Sequence, residues 1–215
     1  MAGTRDDIVK NSNSKTQPMN IQNTKSDLRK KFKKIRSELS EIEVENESNL
    51  ICENFIDNLL PEILSKFSSP IFSIYIDANN EVQTSKIINH FRKNNITFCF
   101  PKINEDNINI DYVKFDKSLK FKNHTIYKNL QEPISENFTT PNILITPLVA
   151  FDDSKNRIGM GKGFFDRSIS KLKSQSVQIC TISLGYTSQH SKLLIPREKH
   201  DQSIDHIVSK DYILS

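Results

Sequence analysis

The chain of 215 residues is long enough for one sizeable domain, and its 36% hydrophobic content leaves a very polar surface around a core. The net charge of +4, from 30 basic and 26 acidic residues, is too small to indicate nucleic-acid binding by itself and suits an anionic small molecule equally well. The three scattered cysteines exclude a disulfide scaffold, and no apolar stretch resembles a transmembrane span or a signal peptide. We therefore expect a soluble, cytoplasmic protein.

The first predicted helix follows a polar segment. Residues 1–22 are polar and aperiodic, and we expect a disordered tail before a single domain over residues 23–215. Thr24 resembles the N-cap of a helix. Its apolar stripe is formed by Leu28, Phe32, Ile35 and Leu39. The basic residues on its other faces, which favour a solvated surface, include Lys30, Lys31, Lys33, Lys34 and Arg36. Lys25 and Arg29 differ, because they are neighbours near the helix start and can bind one polyphosphate together.

A second amphipathic helix should begin after Ser40, where Ser40 and Glu43 form a capping-box pattern. Its apolar positions continue to Leu60, and Pro61 is expected to end it because proline lacks the N–H group that a helix interior requires. We assign this helix to structure rather than to function.

The next elements form a predicted βαβ unit. Residues 71–76 and 96–100 are typical of buried strands, a helical pattern lies between them, and Pro101 should end the second strand. Ligands of such units collect beyond the carboxyl ends of the strands. Glu81 and Lys102 lie just past such ends.

The rest of the chain continues the alternation of strands and helices. Residues 108–115 alternate like an edge or hairpin strand, and residues 116–141 are predicted to be irregular. A helix should start near residue 163. The remaining predicted strands are 143–146, 177–184 and 205–208. This order predicts an α/β protein, a single three-layer α/β/α domain with a mostly parallel, mixed, Rossmann-like sheet.

A glycine-rich loop precedes the predicted helix at residue 163. Three of the five glycines of the chain lie here at alternate positions, with Lys162 among them and Arg157 just before. Glycine permits positive φ and a close approach to the backbone. A strand, a glycine loop and a helix start together direct backbone N–H groups at an anion, most often a phosphate. The spacing matches neither the P-loop nor G-x-G-x-x-G, so a plain glycine turn is an equal alternative.

Two aspartates stand near these cationic features. Asp166 follows the glycine loop and Asp201 lies in a late loop. A carboxylate close to a bound triphosphate usually holds Mg²⁺. Asp166 could equally be an early-helix residue favoured by the helix dipole, and His200-Asp201 could be a polar loop without function.

Together these features resemble the 5-formyltetrahydrofolate cyclo-ligase family, also called 5,10-methenyltetrahydrofolate synthetases, from about Lys25 to Ile207. The most specific motif of that family is P-x-x-x-F-D…N-R-[LI]-G-x-G-x-G-Y-Y-D-R. Here it is represented by Pro147, Phe151-Asp152 and residues 156–167. Supporting matches are K-x-x-L-R at residues 25–29, Glu81 to Thr84, Pro101, Glu132-Pro133 and His200-Asp201. The family usually has tyrosines where this chain has Phe164 and Phe165, so ring packing is retained and the phenol hydroxyls are lost.

The resemblance implies an enzyme that uses ATP to cyclise 5-formyltetrahydrofolate to 5,10-methenyltetrahydrofolate, with release of ADP and phosphate through an imidate phosphate. It implies catalytic roles for Arg157, Lys162 and Asp166, and a magnesium site at Asp166 and Asp201. The implied ATP-binding residues are Lys25, Arg29, Arg157, Gly159, Gly161, Lys162, Gly163, Phe164 and Phe165. The implied folate-binding residues are Ile76, Glu81, Met160, Gly161, Lys162, Gly163 and Phe164. Such a reaction needs positioning and neutralisation of phosphate charge rather than a Ser-His-Asp set.

Two other classes of function remain open from the sequence. Helix 25–36 could lie on RNA, with Phe32 and the glycine loop stacking on bases, or the chain could be another α/β phosphotransferase or sugar-phosphate enzyme with the same sheet. The aromatic residues at core positions and the acidic second helix argue against RNA. We expect small-molecule substrates, a monomer, and neither a nucleic-acid nor a membrane partner.

Overall fold

The computed structural model describes residues 21–175 and 178–215. The α-helices are α1 (Ile21–Ser37), α2 (Glu41–Asn54), α3 (Leu60–Lys66), α4 (Ser85–Lys93) and α5 (Phe164–Ser174). The first five strands are β1 (Phe72–Ser73), β2 (Phe98–Ile103), β3 (Ile110–Lys114), β4 (Lys120–Asn123) and β5 (Gln131–Ile134). The others are β6 (Ile143–Pro147), β7 (Ala150–Phe151), β8 (Arg157–Ile158), β9 (Cys180–Leu184), β10 (His206–Val208) and β11 (Ile213–Leu214).

A seven-stranded sheet in the order β11-β10-β9-β6-β1-β2-β3 forms the centre of the fold. The five inner strands are mutually parallel, and β3 and β11 pair antiparallel at the two edges. This arrangement confirms the predicted mixed, mostly parallel α/β sheet. None of the described helices has an apolar stretch long enough to cross a bilayer.

Helices cover both faces of this sheet. Side chains on successive strand residues point to opposite faces, and β6 shows this: Ile143 and Ile145 join the cluster beneath α2, α3 and α4, whereas Leu144 joins the cluster beneath α5. The result is three layers. The described residues of helix α1 belong to neither of these two clusters. Its Phe32 shares a third, smaller cluster with Ile158 of the β7–β8 hairpin.

The structure differs from the predictions at the start of the first helix and at Pro61. The predicted tail lies outside the described residues except for residues 21 and 22, which are helical. Thr24 therefore lies inside α1 and not at its N-cap.

Pro61 does not end the second helical segment. A π-helical turn over residues 55–59 ends with the N–H of Leu60 bonded to the carbonyl of Phe55, and Pro61 then enters the first turn of α3, where its missing N–H is not needed.

Pro101 does not end its strand either. Strand β2 continues to Ile103, and Pro101 pairs with Tyr112 beyond the point where β1 has ended. The amide of Phe115 donates to the carbonyl of Phe98. In an antiparallel pair only every second residue bonds to the partner strand, so position 101 of β2 is not required to donate an N–H to β3. The segment predicted as irregular contains the β4–β5 hairpin, which includes Glu132 and Pro133.

Candidate active site

A cleft of about 820 Å³ lies at the carboxyl ends of the parallel strands β6, β1 and β2. Its walls come from α1, the turn after β1, the β4–β5 connection, the glycine loop and the loop at residues 198–201. Every predicted site residue lines it: Lys25, Arg29, Ile76, Glu81, Arg157, Gly159, Met160, Gly161, Lys162, Gly163, Phe164, Phe165, Asp166 and Asp201. Segments far apart in the sequence therefore converge on one cleft, as expected for ligands of an α/β sheet.

The glycine loop connects β8 to α5. Gly161 and Gly163 have φ values of 95° and 69°, a region that disfavours other residues, and α5 begins immediately at Phe164. Arg29 fixes the loop from α1, since its Nε donates to the carbonyl of Gly159 at 2.9 Å. A Cβ on Gly161 would lie 3.4 Å from the same guanidinium. The loop is thus shaped by contact with α1 as well as by its own glycines.

The buried carboxylate of Asp152 organises the turn between β7 and β8. Its oxygens accept N–H groups from Ser154, Ile195 and both the backbone and the side chain of Asn156, at 2.7 to 3.0 Å. Lys155 adopts a φ of 60° in this turn. The sequence motif included Asp152 and Asn156 without assigning them roles. The structure places them where they set the position of Arg157, the next residue.

Arg157 extends from β8 into the cleft wall and is buried. Its Nη2 lies 3.0 Å from Oδ1 of Asp166, which also accepts the amide of Gln202 at 3.2 Å. Burial lowers the pKa of the Arg157 guanidinium, and the charges of Asp166 and Asp201 oppose that shift. The Nε atom is buried without a hydrogen-bond partner among the described residues. An unsatisfied buried donor of this kind suits an oxygen of an anionic ligand.

Lys25 and Asp201 also line the cleft and are bonded to each other. The Nζ atom of Lys25 donates to both oxygens of Asp201, at 2.9 and 2.8 Å, and to Glu198 at 3.2 Å. Burial raises the pKa of Asp201, but the amide of Glu198 and the Lys25 ammonium outweigh it and hold that pKa below its ordinary value. Glu198, His200 and Asp201 place their ligand atoms within 4.8 Å of one another. Glu198 was not predicted as a site residue.

These carboxylates suit the predicted magnesium site by their chemistry. Mg²⁺ takes oxygen ligands and usually only one or two protein carboxylates. The Oδ1 atom of Asp166 accepts from Arg157 and Gln202, and its Oδ2 atom has no hydrogen-bond partner among the described residues. Both oxygens of Asp201 accept from the ammonium of Lys25, so Asp201 would have to release Lys25 in order to bind the metal.

Glu81 also lines the cleft, and only 10% of its side chain is exposed. Its Oε2 accepts the amide of Ala78 at 3.2 Å, and its Oε1 lies 3.7 Å from Arg36. Burial raises the pKa of Glu81 to about 7, an effect that Arg36 reduces. The prediction that Arg36 lies on a solvated face was wrong, because only 2% of its side chain is exposed. Its spacing of four residues after Phe32, on the apolar stripe, was the signal that could have indicated burial.

A tyrosine that sequence reasoning missed also lines the cleft. Tyr127, in the β4–β5 connection, lies edge-on to Phe164 with ring centroids 6.1 Å apart. The ammonium of Lys162 lies 5.8 Å from the centre of the Tyr127 ring. Phe164 and Phe165 both pack against the cluster beneath α5. The prediction that these two phenylalanines keep their ring packing is therefore confirmed.

An α/β domain with buried cations, a glycine loop and carboxylates at one edge of its sheet has the features of an enzyme that binds anionic small molecules. A family model described as the 5-formyltetrahydrofolate cyclo-ligase family matches residues 21–210. The chain therefore belongs to that family.

Named relatives agree with this assignment. The 5-formyltetrahydrofolate cyclo-ligase of Haemophilus influenzae is 27% identical over 191 residues, which cover 85% of this chain and 95% of the relative. Two solved structures share the fold. A 5,10-methenyltetrahydrofolate synthetase from Aquifex aeolicus has a TM-score of 0.72 at 24% identity, covering 88% of this chain and 91% of the other. Another from Mycoplasma pneumoniae has a TM-score of 0.66 at 23% identity, covering 87% and 99%.

Proposed function

We propose that this protein uses ATP to cyclise 5-formyltetrahydrofolate to 5,10-methenyltetrahydrofolate, releasing ADP and phosphate. The observation that carries the proposal is the convergence of two kinds of group in one cleft. Lys25, Arg157 and the glycine loop offer cationic and N–H donors for a polyphosphate, and Glu81 offers a carboxylate acceptor for a heterocycle. Family membership supports a folate substrate for this cleft.

The proposed chemistry begins with attack of the formyl oxygen on the γ-phosphorus of ATP, which forms an O–P bond and releases ADP. The resulting imidate phosphate makes the formyl carbon electrophilic. N10 of the folate then attacks that carbon, loses its proton, and the C–O bond breaks to release phosphate. An amide oxygen is a poor nucleophile, so the enzyme must position the two substrates and neutralise the phosphate charge.

The cations of the cleft are placed for the ATP side of this reaction. The buried Nε of Arg157 has no hydrogen-bond partner within residues 21–175 and 178–215, and Lys162 lies exposed on the glycine loop beside Tyr127. The amides of the loop precede the N-terminus of α5, whose dipole favours negative charge. We assign Lys25, Arg29, Arg157, Gly159 and residues 161–165 to ATP, with Lys162 and Arg157 stabilising the transferred phosphoryl group.

Glu81 is placed for the folate side. An ionised carboxylate can accept two N–H bonds from the donor edge of a pterin ring. Ile76 and Met160 line the same cleft and offer apolar contact to that ring. We assign Ile76, Glu81 and residues 160–164 to folate binding, so that the glycine loop faces both substrates.

Asp166 and Asp201 would hold Mg²⁺, which neutralises phosphate charge when bound. The chain's own residues prepare this state through two ion pairs, Arg157 with Asp166 and Lys25 with Asp201. Each pair joins a residue assigned to ATP with one assigned to the metal. The pairs keep buried charges compensated before the ligands arrive, since an uncompensated buried charge is strongly unfavourable.

The structure also bears on the RNA-binding alternative. Phe32, which would have stacked on a base, is buried in the cluster with Ile158, and Arg36 of the same helix is buried against Glu81. These residues are not available to a strand lying on α1. The remaining exposed lysines are ordinary for a surface helix.

The proposal is tested by near-ultraviolet absorbance, because methenyltetrahydrofolate absorbs there and formyltetrahydrofolate does not. We expect an absorbance rise when purified protein is mixed with 5-formyltetrahydrofolate, and we expect it to require both ATP and Mg²⁺. Folded protein that produces no rise under these conditions would refute the proposal.

A further inference from the structure

Arg36 is a charged residue buried behind the cleft. Its Nη1 donates to the carbonyl of Leu148 at 3.2 Å, and its Nη2 lies 3.8 Å from the sulfur of Met160. Its Nη1 also lies 3.7 Å from Oε1 of Glu81, the carboxylate within ion-pair distance of it among the residues described. A buried guanidinium without a counter-charge is strongly unfavourable, so Arg36 and Glu81 depend on each other.

Arg36 lies behind residues that line the cleft, and only 2% of its side chain is exposed. Leu148, Met160 and Glu81 all line the cleft, whereas Arg36 itself does not. Its guanidinium donates to the Leu148 carbonyl and the Met160 sulfur and forms an ion pair with Glu81 from the protein side. Any effect of Arg36 on a bound substrate must therefore pass through the residues it holds.

The backbone reinforces this connection. Asn80 donates its side-chain amide to the carbonyls of Arg36 and Leu39, at 3.3 and 3.2 Å, and so ties the turn after β1 to the end of α1. Asn79 and Asn80 both adopt positive φ in this turn, at 52° and 57°. Glu81 follows directly. Both the main chain and the side chain of Arg36 thus fix the segment that carries the Glu81 carboxyl.

Several groups act on the Glu81 carboxyl. Burial is the largest influence and raises its pKa to about 7, and the negative charge of Asp77 acts in the same direction. The Arg36 guanidinium and the amide of Ala78 lower it. The Tyr186 hydroxyl bonds to the backbone carbonyl of Glu81 and not to its carboxyl. Arg36 is therefore the cation that favours the charged form of this carboxyl.

We propose that Arg36 is a positioning residue for folate binding, which keeps the Glu81 carboxylate charged and oriented toward the cleft without touching the substrate. The inference rests on the proposed role of Glu81 as an acceptor for the pterin N–H groups. A protonated carboxyl carries a donor on one oxygen and cannot accept two N–H bonds. Loss of Arg36 should then weaken folate binding in a pH-dependent manner and leave ATP binding unchanged.

The test compares Arg36→Met, Arg36→Lys and, as a control on the exposed face of α1, Lys34→Met. Binding of 5-formyltetrahydrofolate and of MgATP is measured by calorimetry from about pH 5.5 to about pH 9. An opposite charge at this distance commonly shifts a carboxyl pKa by about 1 to 3 units, so Arg36→Met should move the midpoint of folate binding upward by about one pH unit or more. At neutral pH this corresponds to roughly tenfold weaker folate binding. Arg36→Lys should retain most of the wild-type profile, and Lys34→Met all of it.

A second measurement needs no substrate and separates this inference from the proposed function. Carbon-13 NMR of the Glu81 carboxyl, assigned with Glu81→Gln, reports its titration in the free protein. We expect Arg36→Met to raise the titration midpoint and Arg36→Lys to preserve it. An unchanged midpoint in Arg36→Met overturns the inference, as does an equal, pH-independent loss of folate binding in both Arg36 variants. A shifted midpoint in a protein that does not bind the folate would refute the proposed function and the folate role of Arg36, while upholding its control of Glu81.

Discussion

The Nζ atom of Lys25 lies 2.8 Å from Oδ2 of Asp201, so a cation assigned to ATP is bonded to a carboxylate assigned to the metal. Only 8% of the Lys25 side chain and 17% of the Asp201 side chain are exposed. At such burial the pair is not a weak surface contact. It joins α1 to the loop at residues 198–201 in the wall of the cleft.

Replacing Lys25 should weaken ATP binding. Charge-assisted hydrogen bonds contribute about 1.5 to 3 kcal/mol, so Lys25→Met should raise the KM for ATP by roughly 10- to 100-fold. The KM for the folate should change little. Lys30→Met, on the exposed face of the same helix, is the matched control. A Lys25→Met enzyme with unchanged ATP kinetics would remove Lys25 from the nucleotide site.

Lys162 provides the cleanest test of the glycine loop. It is exposed and its ammonium lies over the ring of Tyr127, so Lys162→Ala should change the free energy of unfolding by less than about 0.5 kcal/mol. Turnover should fall by roughly 10²- to 10³-fold, the usual effect of removing one group that stabilises a transition-state charge. The absorbance assay and thermal unfolding measure the two effects. The control is Lys171→Ala on the exposed face of α5.

Asp166 requires a more conservative change. Asp166→Ala would leave the buried Arg157 guanidinium without its counter-charge and destabilise the domain by roughly 3 kcal/mol. Asp166→Asn keeps an oxygen for Arg157 and Gln202 but removes the negative charge. We expect Asp166→Asn to fold and to lose nearly all turnover, with a much weaker response to added Mg²⁺. Retained activity would argue against the assigned role.

The buried Glu81 predicts how stability depends on pH. Its pKa rises from the ordinary 4.5 to about 7 on folding, so between these values the folded protein binds more protons than the unfolded chain. The free energy of unfolding should therefore fall as the pH rises from about 4.5 to about 7, by up to roughly 3 kcal/mol from this group. Glu81→Gln should lack this component, whereas Glu45→Gln on the surface of α2 should retain it. Denaturant unfolding at about pH 5 and about pH 8 gives the free energy of unfolding at each pH. An equal change in that free energy in wild type and Glu81→Gln would contradict the prediction.

Asp152 should be needed for folding and for the position of Arg157. Four N–H groups bond to its buried carboxylate, and Asp152→Ala would leave several of them unsatisfied. At about 1 to 3 kcal/mol for an unsatisfied buried group, we expect a loss of roughly 3 kcal/mol and reduced turnover. Asp153→Ala removes an exposed neighbour and should lose less than about 1 kcal/mol. Equal stability of the two variants would show that the turn does not depend on Asp152.

Local patterns were sufficient for much of this protein. The glycine loop could be recognised because its spacing and its place between a strand and a helix are local features. The alternation of strands and helices follows from periodicity, which records which face of each element is apolar. The Pro61 error has a local cause, since a π-helical turn places this proline where it is tolerated. The Pro101 error has a tertiary cause, since the neighbouring strand β1 ends before it reaches Pro101.

By itself, the sequence determined the α/β class, the glycine loop and the candidate residues, because each depends on neighbours within one or two elements. Only the tertiary structure decided how those residues are paired. Lys25 and Asp201 are separated by 176 positions, and Arg36 meets Glu81 only because α1 crosses behind the turn after β1. Periodicity indicates which side of a helix is buried, but the charge that a buried cation meets depends on which distant segment packs there.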